Sequence, residues 1–292
     1  MRSIQKISKQ LLVLLSVLLL STATHALTSG KAQFMFSDWQ GPPLRVWTYI
    51  PEQFTQKSAV VFVMHGTKRD GERYRNEWTA LADQHNFLVV VPEFPKDQFP
   101  GSRGYNLGNV FKKNGQQNDK GVWSFSAIEP LFDAIKKRTD SQRSGYAIYG
   151  HSAGSQFVHR FLYHIPEARL TKAVAANAGW YTLPDFSVAF PYGLKKSVVD
   201  AKQLKAAFEK KLVVLLGTED TSTTSKYLRK TPEAMAQGAH RFARGQFYFK
   251  AGQNAAQKYQ SAFNWRLELA PGVGHKNGLM AQFAAPFLLS AD

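Results

Sequence analysis

The chain contains no cysteine. That excludes disulfides, thiolate zinc sites, thiol nucleophiles and lipid attachment through an N-terminal Cys. Acid is scarce beside base: 21 Asp+Glu stand against 37 Lys+Arg, a formal charge of +16. Charge as a whole is also sparse, at 20% of 292 residues, with 44% hydrophobic and 13% aromatic. A disordered chain has the opposite balance, so these values fit one globular domain or at most two small ones. Dense basic tracts are missing as well. Lys112-Lys113, Lys136-Lys137-Arg138, Lys195-Lys196 and Lys210-Lys211 are short and dispersed, with no aromatic-interleaved RNA motif. A solvated basic surface, facing an anionic envelope, is therefore expected, and no nucleic-acid partner.

Past residue 20 there is no apolar run of membrane-spanning length. The one long run comes earlier. Arg2, Lys6 and Lys9 form a positive start without an acid, and Leu11 to Leu20 is apolar except for Ser16. Small residues follow, up to Ala26. This is the pattern of a secretory signal, and the run is short for a bilayer span of about 20 residues. Cleavage is expected after Ala26, with Ala23 as a near equivalent. Residues 27–292 then form a single exported domain, periplasmic or extracellular. A core of this size is stable without crosslinks, unlike that of a small secreted domain.

That remaining chain alternates short β-rich runs with helical patterns. Strands are expected at 33–37, 44–50, 59–64, 87–91, 146–149, 173–176, 212–216 and 265–269. Helices are expected at 74–85, 126–137, 154–164, 202–210, within 232–259, and at 278–289. The middle strands are near-continuous Val, Ile, Leu and Phe, which suits strands covered on both faces. The alternation predicts an α/β fold: a mostly parallel sheet with helices on both sides. Two looser stretches, 94–122 and 180–200, follow strand ends and are candidate pocket walls.

Gly150-His-Ser-Ala-Gly154 is a G-x-S-x-G pentapeptide between a strand pattern, Tyr146–Tyr149, and a helix pattern from Gln156. The order matters chemically. A sharp strand-to-helix turn thrusts the Ser152 hydroxyl outward, and the helix start leaves N–H groups free for a developing oxyanion. A nucleophilic serine needs a base. Of the histidines after residue 26, His159 and His164 fall on the following helix as surface or packing residues. His85 closes a helix, and His240 falls inside a helical stretch. His275, in Pro271-Gly-Val-Gly-His275, sits just beyond the last strand and is the base candidate. The acid that fixes its tautomer is Asp220 or Glu219, in the loop after the 212–216 strand. His65-Gly66-Thr67 closes the third strand, where a backbone bend places the next N–H toward the serine.

With these pieces together, the chain resembles secreted α/β-hydrolase-fold serine esterases, of the polyhydroxybutyrate-depolymerase-like and feruloyl-esterase-like branch. The resemblance rests on His65-Gly66-Thr67, Gly150-His-Ser-Ala-Gly154, Gly217-Thr-Glu-Asp220-Thr and Gly272-Val-Gly-His275, and covers essentially all of the chain after residue 26. It implies an eight-stranded sheet, Ser152 as nucleophile, Asp220 as acid, His275 as base, and the N–H groups of Thr67 and Ala153 as the oxyanion hole. It implies no metal or organic cofactor, and hydrolysis of small or oligomeric esters such as hydroxyacid oligomers or aryl esters. Trp180, Tyr181 and Trp123, with Tyr192 nearby in order, are candidates for an aromatic pocket. A peptidase or amidase with the same triad, or a non-catalytic binding protein on this scaffold, are the competing functions.

Overall fold

The computed structural model describes residues 27–289; the expected signal segment lies outside them. Eight strands form one sheet. They are β1 (Gly30–Phe36), β2 (Leu44–Ile50), β3 (Ala59–Met64), β4 (Phe87–Glu93), β5 (Tyr146–His151), β6 (Leu170–Ala176), β7 (Leu212–Gly217) and β8 (Arg266–Ala270). Their spatial order is β1-β2-β4-β3-β5-β6-β7-β8. The β1–β2 and β2–β4 pairs are antiparallel and the rest are parallel. The helices are α1 (Gly71–Asn76), α2 (Thr79–His85), α3 (Gly101–Gly104), α4 (Ile128–Thr139), α5 (Ala153–His164), α6 (Ala201–Glu209), α7 (Pro232–Ala236), α8 (Arg241–Lys258) and α9 (Asn277–Leu289). This is the α/β-hydrolase fold. Among the described residues no helix is long and apolar enough to cross a membrane.

The apolar strand runs are explained by two cores, one on each face of the sheet. Alternate residues divide between them, since successive side chains of a strand point to opposite sides. Phe62, Met64, Leu88, Val90, Ile148, Val214 and Leu216 pack with α4, α5, α6 and α8. Val61, Val63, Val89, Val91, Tyr149, Val174 and Leu215 pack with Trp78, Ala82, Met280 and Ala284. Covering both faces is what makes such strands apolar at every position.

Two expected helices are broken. The 74–85 pattern is α1 and α2 with a break at Glu77-Trp78. The break puts the Trp78 indole into the core, 4.8 Å from the Tyr149 ring between centroids. The 232–259 pattern is α7 and α8, separated by Gly238 at φ 142° and by His240 in extended backbone. His240 is thus not inside a helix. It caps α8, its Nδ1 accepting from the Ala243 N–H at 3.2 Å. α1 and α6 are capped by Asp70 and Asp200, acceptors for their first-turn N–H groups.

The fold brings four carboxyl-terminal strand ends together. β3, β5, β6 and β7 run parallel, and the segments after them, with the loop after β8, lie at the carboxyl-terminal end of these strands.

Candidate active site

Ser152 stands between β5 and α5 at φ 60° and ψ −114°. A non-glycine residue pays roughly 1–3 kcal/mol for such backbone, and it persists only where packing enforces it. The enforcement is visible at Gly154: a Cβ there would overlap the Met64 carbonyl oxygen at the end of β3. Close approach of α5 to β3 therefore requires glycine, and it carries the β3 exit toward the serine. Gly66, on that exit, lies so close that an added Cβ would meet the Tyr74 hydroxyl at 2.7 Å and the Ser152 Cβ at 3.7 Å.

The Ser152 hydroxyl donates to His275 Nε2 at 3.0 Å, and His275 Nδ1 donates to Asp220 Oδ2 at 2.7 Å. Nδ1 faces a carboxylate, which only accepts, so the partners select the tautomer with Nδ1–H and a free lone pair on Nε2. Asp220 is buried, whereas Glu219 is exposed, so the geometry selects between the two acids. The N–H groups of Thr67 and Ala153 have no backbone acceptor among the described residues. Thr67 lines the cleft, and Ala153 is the first residue of α5, where an N–H has no intrahelical partner.

Several polar side chains that join these loops are not marked by any sequence motif. Asn177, at φ 51°, accepts from the Gly217 N–H at 2.8 Å and donates to the Gly274 carbonyl at 3.2 Å. One side chain thus joins the acid loop to the histidine loop. Asn277 Oδ1 accepts from the Tyr149 hydroxyl at 3.0 Å, and its amide donates to Glu77. Arg241, the first residue of α8, donates to Asp220 Oδ1 at 3.3 Å and to Ser225 Oγ at 3.3 Å. His151 Nδ1 meets the Tyr74 hydroxyl at 3.2 Å. Burial, then the neighbouring His275, pushes His151 well below the ordinary histidine range, so it stays neutral beside the base.

His65 does not reach the cleft. It is wholly buried, its Nε2 accepting from the Phe94 N–H at 3.0 Å and its Nδ1 close to the Gly66 carbonyl at 3.2 Å. Burial, followed by the Arg69 guanidinium, lowers its pKa to about 3. Its part is to anchor the bend that carries Thr67.

A cavity of about 630 Å³ opens over Ser152 and His275, lined by Thr67, Lys68, Arg73, Tyr74, Tyr227, Lys276 and Leu279, among others. Lys68 and Lys276 are exposed, and neither has an ion-pair partner among the described residues. Arg73 pairs with Asp70 and Glu77.

The expected aromatic pocket is corrected. Trp180 packs against Tyr192, Tyr181 stacks on Tyr248, and Trp123 donates to the Asn118 carbonyl; none of them lines this cavity. Segments 94–122 and 180–200 are likewise not its walls. Arg160, buried on α5, explains why. Its guanidinium donates to Thr182 Oγ1 at 2.6 Å and to the Asn106 carbonyl at 3.0 Å, and lies 4.2 Å from the Trp180 ring centroid. Both loops are thereby tied to α5 and packed inward. Among the described residues no three His, Asp or Glu side chains gather as metal ligands.

The fold has counterparts among solved structures. A structure of poly(aspartic acid) hydrolase-1 from Sphingomonas sp. KT-1 is 44% identical, covers 90% of this chain and 100% of its own, and superimposes with a TM-score of 0.89. The poly(3-hydroxybutyrate) depolymerase LpqC from Bordetella parapertussis is 34% identical over 89% of each chain, with a TM-score of 0.84. An S-formylglutathione hydrolase from Agrobacterium tumefaciens, at 14% identity and a TM-score of 0.57, shares the fold alone. No family model matches the chain. No curated protein matches it either.

Proposed function

Because the chain belongs to the polyhydroxybutyrate-depolymerase-like branch of α/β-hydrolase-fold serine hydrolases, we propose that it cleaves carboxylic esters through an acyl-enzyme on Ser152. The observation that carries this reading is the run of two hydrogen bonds, 3.0 Å from Ser152 to His275 and 2.7 Å from His275 to Asp220. Ser152 Oγ attacks the ester carbonyl while His275 Nε2 takes its proton. Asp220 holds the ring and balances the imidazolium, and the Thr67 and Ala153 N–H groups hold the oxyanion. His275 then protonates the leaving alcohol, and water repeats the sequence on the acyl-enzyme.

Soluble or oligomeric hydroxyacid esters fit the open cleft, whose rim carries Tyr227 and Leu279 at 56% and 40% exposure. A second reading is amide cleavage in an acidic oligomer. It is favoured by the unpaired cations Lys68 and Lys276 beside the serine, and by the name of the 44% identical relative, a poly(aspartic acid) hydrolase. Turnover of p-nitrophenyl esters, soluble hydroxybutyrate oligomers and aspartate oligomers by one preparation separates the two. Ser152→Ala should abolish turnover and fluorophosphonate labelling, a loss of about 10⁶ by analogy with other triads. A tenth of the activity surviving in that variant would place the nucleophile elsewhere. We also propose export, with the native chain beginning at Leu27 or Thr24 when its N-terminus is sequenced. A native chain beginning at Met1 would refute that.

A further inference from the structure

Asp220 has two cationic or potentially cationic neighbours, one on each carboxylate oxygen. Oδ2 takes the His275 N–H at 2.7 Å and Oδ1 takes Arg241 Nη1 at 3.3 Å. The Arg241–Asp220 pair is almost fully withdrawn from water, with side chains 3% and 2% exposed. Arg241 is held from behind by Ser225, and the Phe242 N–H donates to the Asp220 carbonyl at 3.2 Å. The start of α8 is thus fastened to the acid by both its backbone and its side chain. The Arg241 Nε, also buried, has no partner among the described residues. A buried guanidinium with a spare donor is a costly feature to keep for packing alone.

We propose that Arg241 is a positioning residue of this site: it holds the Asp220 carboxylate in register with the His275 ring and offsets part of the negative charge that would otherwise favour the imidazolium. The assignment rests on the Ser152–His275–Asp220 reading above. The base must be neutral to accept the serine proton. A carboxylate beside an imidazole favours the charged ring, and a cation on the far carboxylate oxygen opposes that effect. Removing the cation therefore lets His275 hold its proton to higher pH.

The other groups facing this pair leave Arg241 in a distinct place. Tyr181 brings a phenol held neutral by burial near Asp220. Arg244, also on α8, is committed to the Gly238, Gly179 and Arg229 carbonyls. β5 brings His151, whose ring centroid is 4.5 Å from that of His275. α1 brings Arg73 and Tyr74, and Glu77 follows it; Arg73 is already paired with Asp70 and Glu77. The β3 exit brings Lys68, and the histidine loop brings Lys276, both exposed. The acid loop carries Glu219, also exposed. The turn after Ser225 carries exposed Lys226, whose ammonium lies over the Tyr227 ring. α9 has no charged residue. Among the described residues only His275 and Arg241 form an ion pair with Asp220.

The test is the pH profile of kcat/KM on one soluble ester, with the pH dependence of fluorophosphonate labelling, for wild type, Arg241→Gln, Arg241→Lys and Ser225→Asp. In Arg241→Gln the acid limb should move up by about half a pH unit or more, with kcat lowered about tenfold. Arg241→Lys, which keeps the charge, should hold the limb at its wild-type position. Ser225→Asp draws the guanidinium charge toward a new carboxylate and should move the limb upward too. It provides the reading if Gln at 241 fails to fold. Equal activity losses in the Gln and Lys variants with unmoved limbs would overturn the proposal. So would an unmoved limb in a folded Ser225→Asp variant where Gln cannot be measured. Failure of wild type to label at Ser152 would instead remove the triad reading beneath it.

Discussion

A single carboxylate decides whether the imidazole beside Ser152 is held in the useful tautomer. Asp220 does so at 2.7 Å, while the adjacent Glu219 is exposed and contributes its backbone N–H to the Val273 carbonyl. Neighbouring residues in a turn point in different directions, so one of an adjacent acidic pair faces the ring. Asp220→Asn should lower kcat by roughly 10³–10⁴, in line with wrong-tautomer losses in other triads. Glu219→Gln should cost less than about tenfold, since an exposed charge perturbs the site weakly. Both are read as kcat on one soluble ester, with circular dichroism as the folding control. A crippled Glu219→Gln beside an active Asp220→Asn would move the acid by one residue. That Ser152, His275 and Asp220 meet in space could be expected from the chain, because each follows a predicted strand end and the parallel strands gather those ends on one side. Arg241 could not: nothing in its sequence surroundings separates it from the other basic residues, and its partner lies 21 positions away.

At the scale of elements, the strand–turn–helix of β5 and α5 was legible because two periods and a glycine-rich motif agree within a short stretch. The helix breaks at Glu77-Trp78 and at Gly238 were not. Each is dictated by tertiary packing, which helical periodicity does not encode. The aromatic loops misled for the same reason. Trp123, Trp180 and Tyr181 have the composition of a pocket, yet Arg160 and the core claim them. The contact of α5 with β3 can be tested directly. Gly154→Ala places a Cβ against the Met64 and His65 carbonyl oxygens, which are backbone and cannot swing aside. We expect a loss of about 1–3 kcal/mol in urea unfolding, typical of overpacking. Moving the β3 exit relative to Ser152 also displaces the Thr67 N–H, and a shift of about 1 Å can cost on the order of 10²-fold in kcat. Wild-type stability and kcat in this variant would show that α5 and β3 are not held as closely as the glycine implies.

Over the whole molecule, the histidines set a dependence on acid that the surface charge does not. His65 is lowered to about 3 and His164 to about 4, in each case chiefly by burial. His151 and His159 are pushed well below the ordinary range, again by burial first. In the unfolded chain each titrates near its ordinary value of about 6.5. Below that pH the unfolded state takes up protons that the folded state refuses. Stability therefore rises with pH across the window from about 4 to 6.5, and this contribution is complete above it. Each such histidine adds a slope of up to about 1.4 kcal/mol per pH unit. His164 isolates one of them. Its ring lies among Trp123, Phe125 and Phe190, with Nδ1 bonded to the Arg160 carbonyl at 2.8 Å and a buried Nε2 without a partner among the described residues. His164→Phe keeps the aromatic packing and gives up one hydrogen bond, at a cost of about 1 kcal/mol near pH 7.5. Because the variant has nothing to protonate there, its stability should fall less steeply with acid. The gap to wild type should close by pH 5.5 and reverse by pH 5. Urea unfolding at pH 7.5, 6.5, 5.5 and 5.0 reads the difference, in which the carboxylates common to both proteins cancel. Parallel stability curves for the two proteins would mean that the buried His164 takes up its proton as readily in the fold as in the unfolded chain.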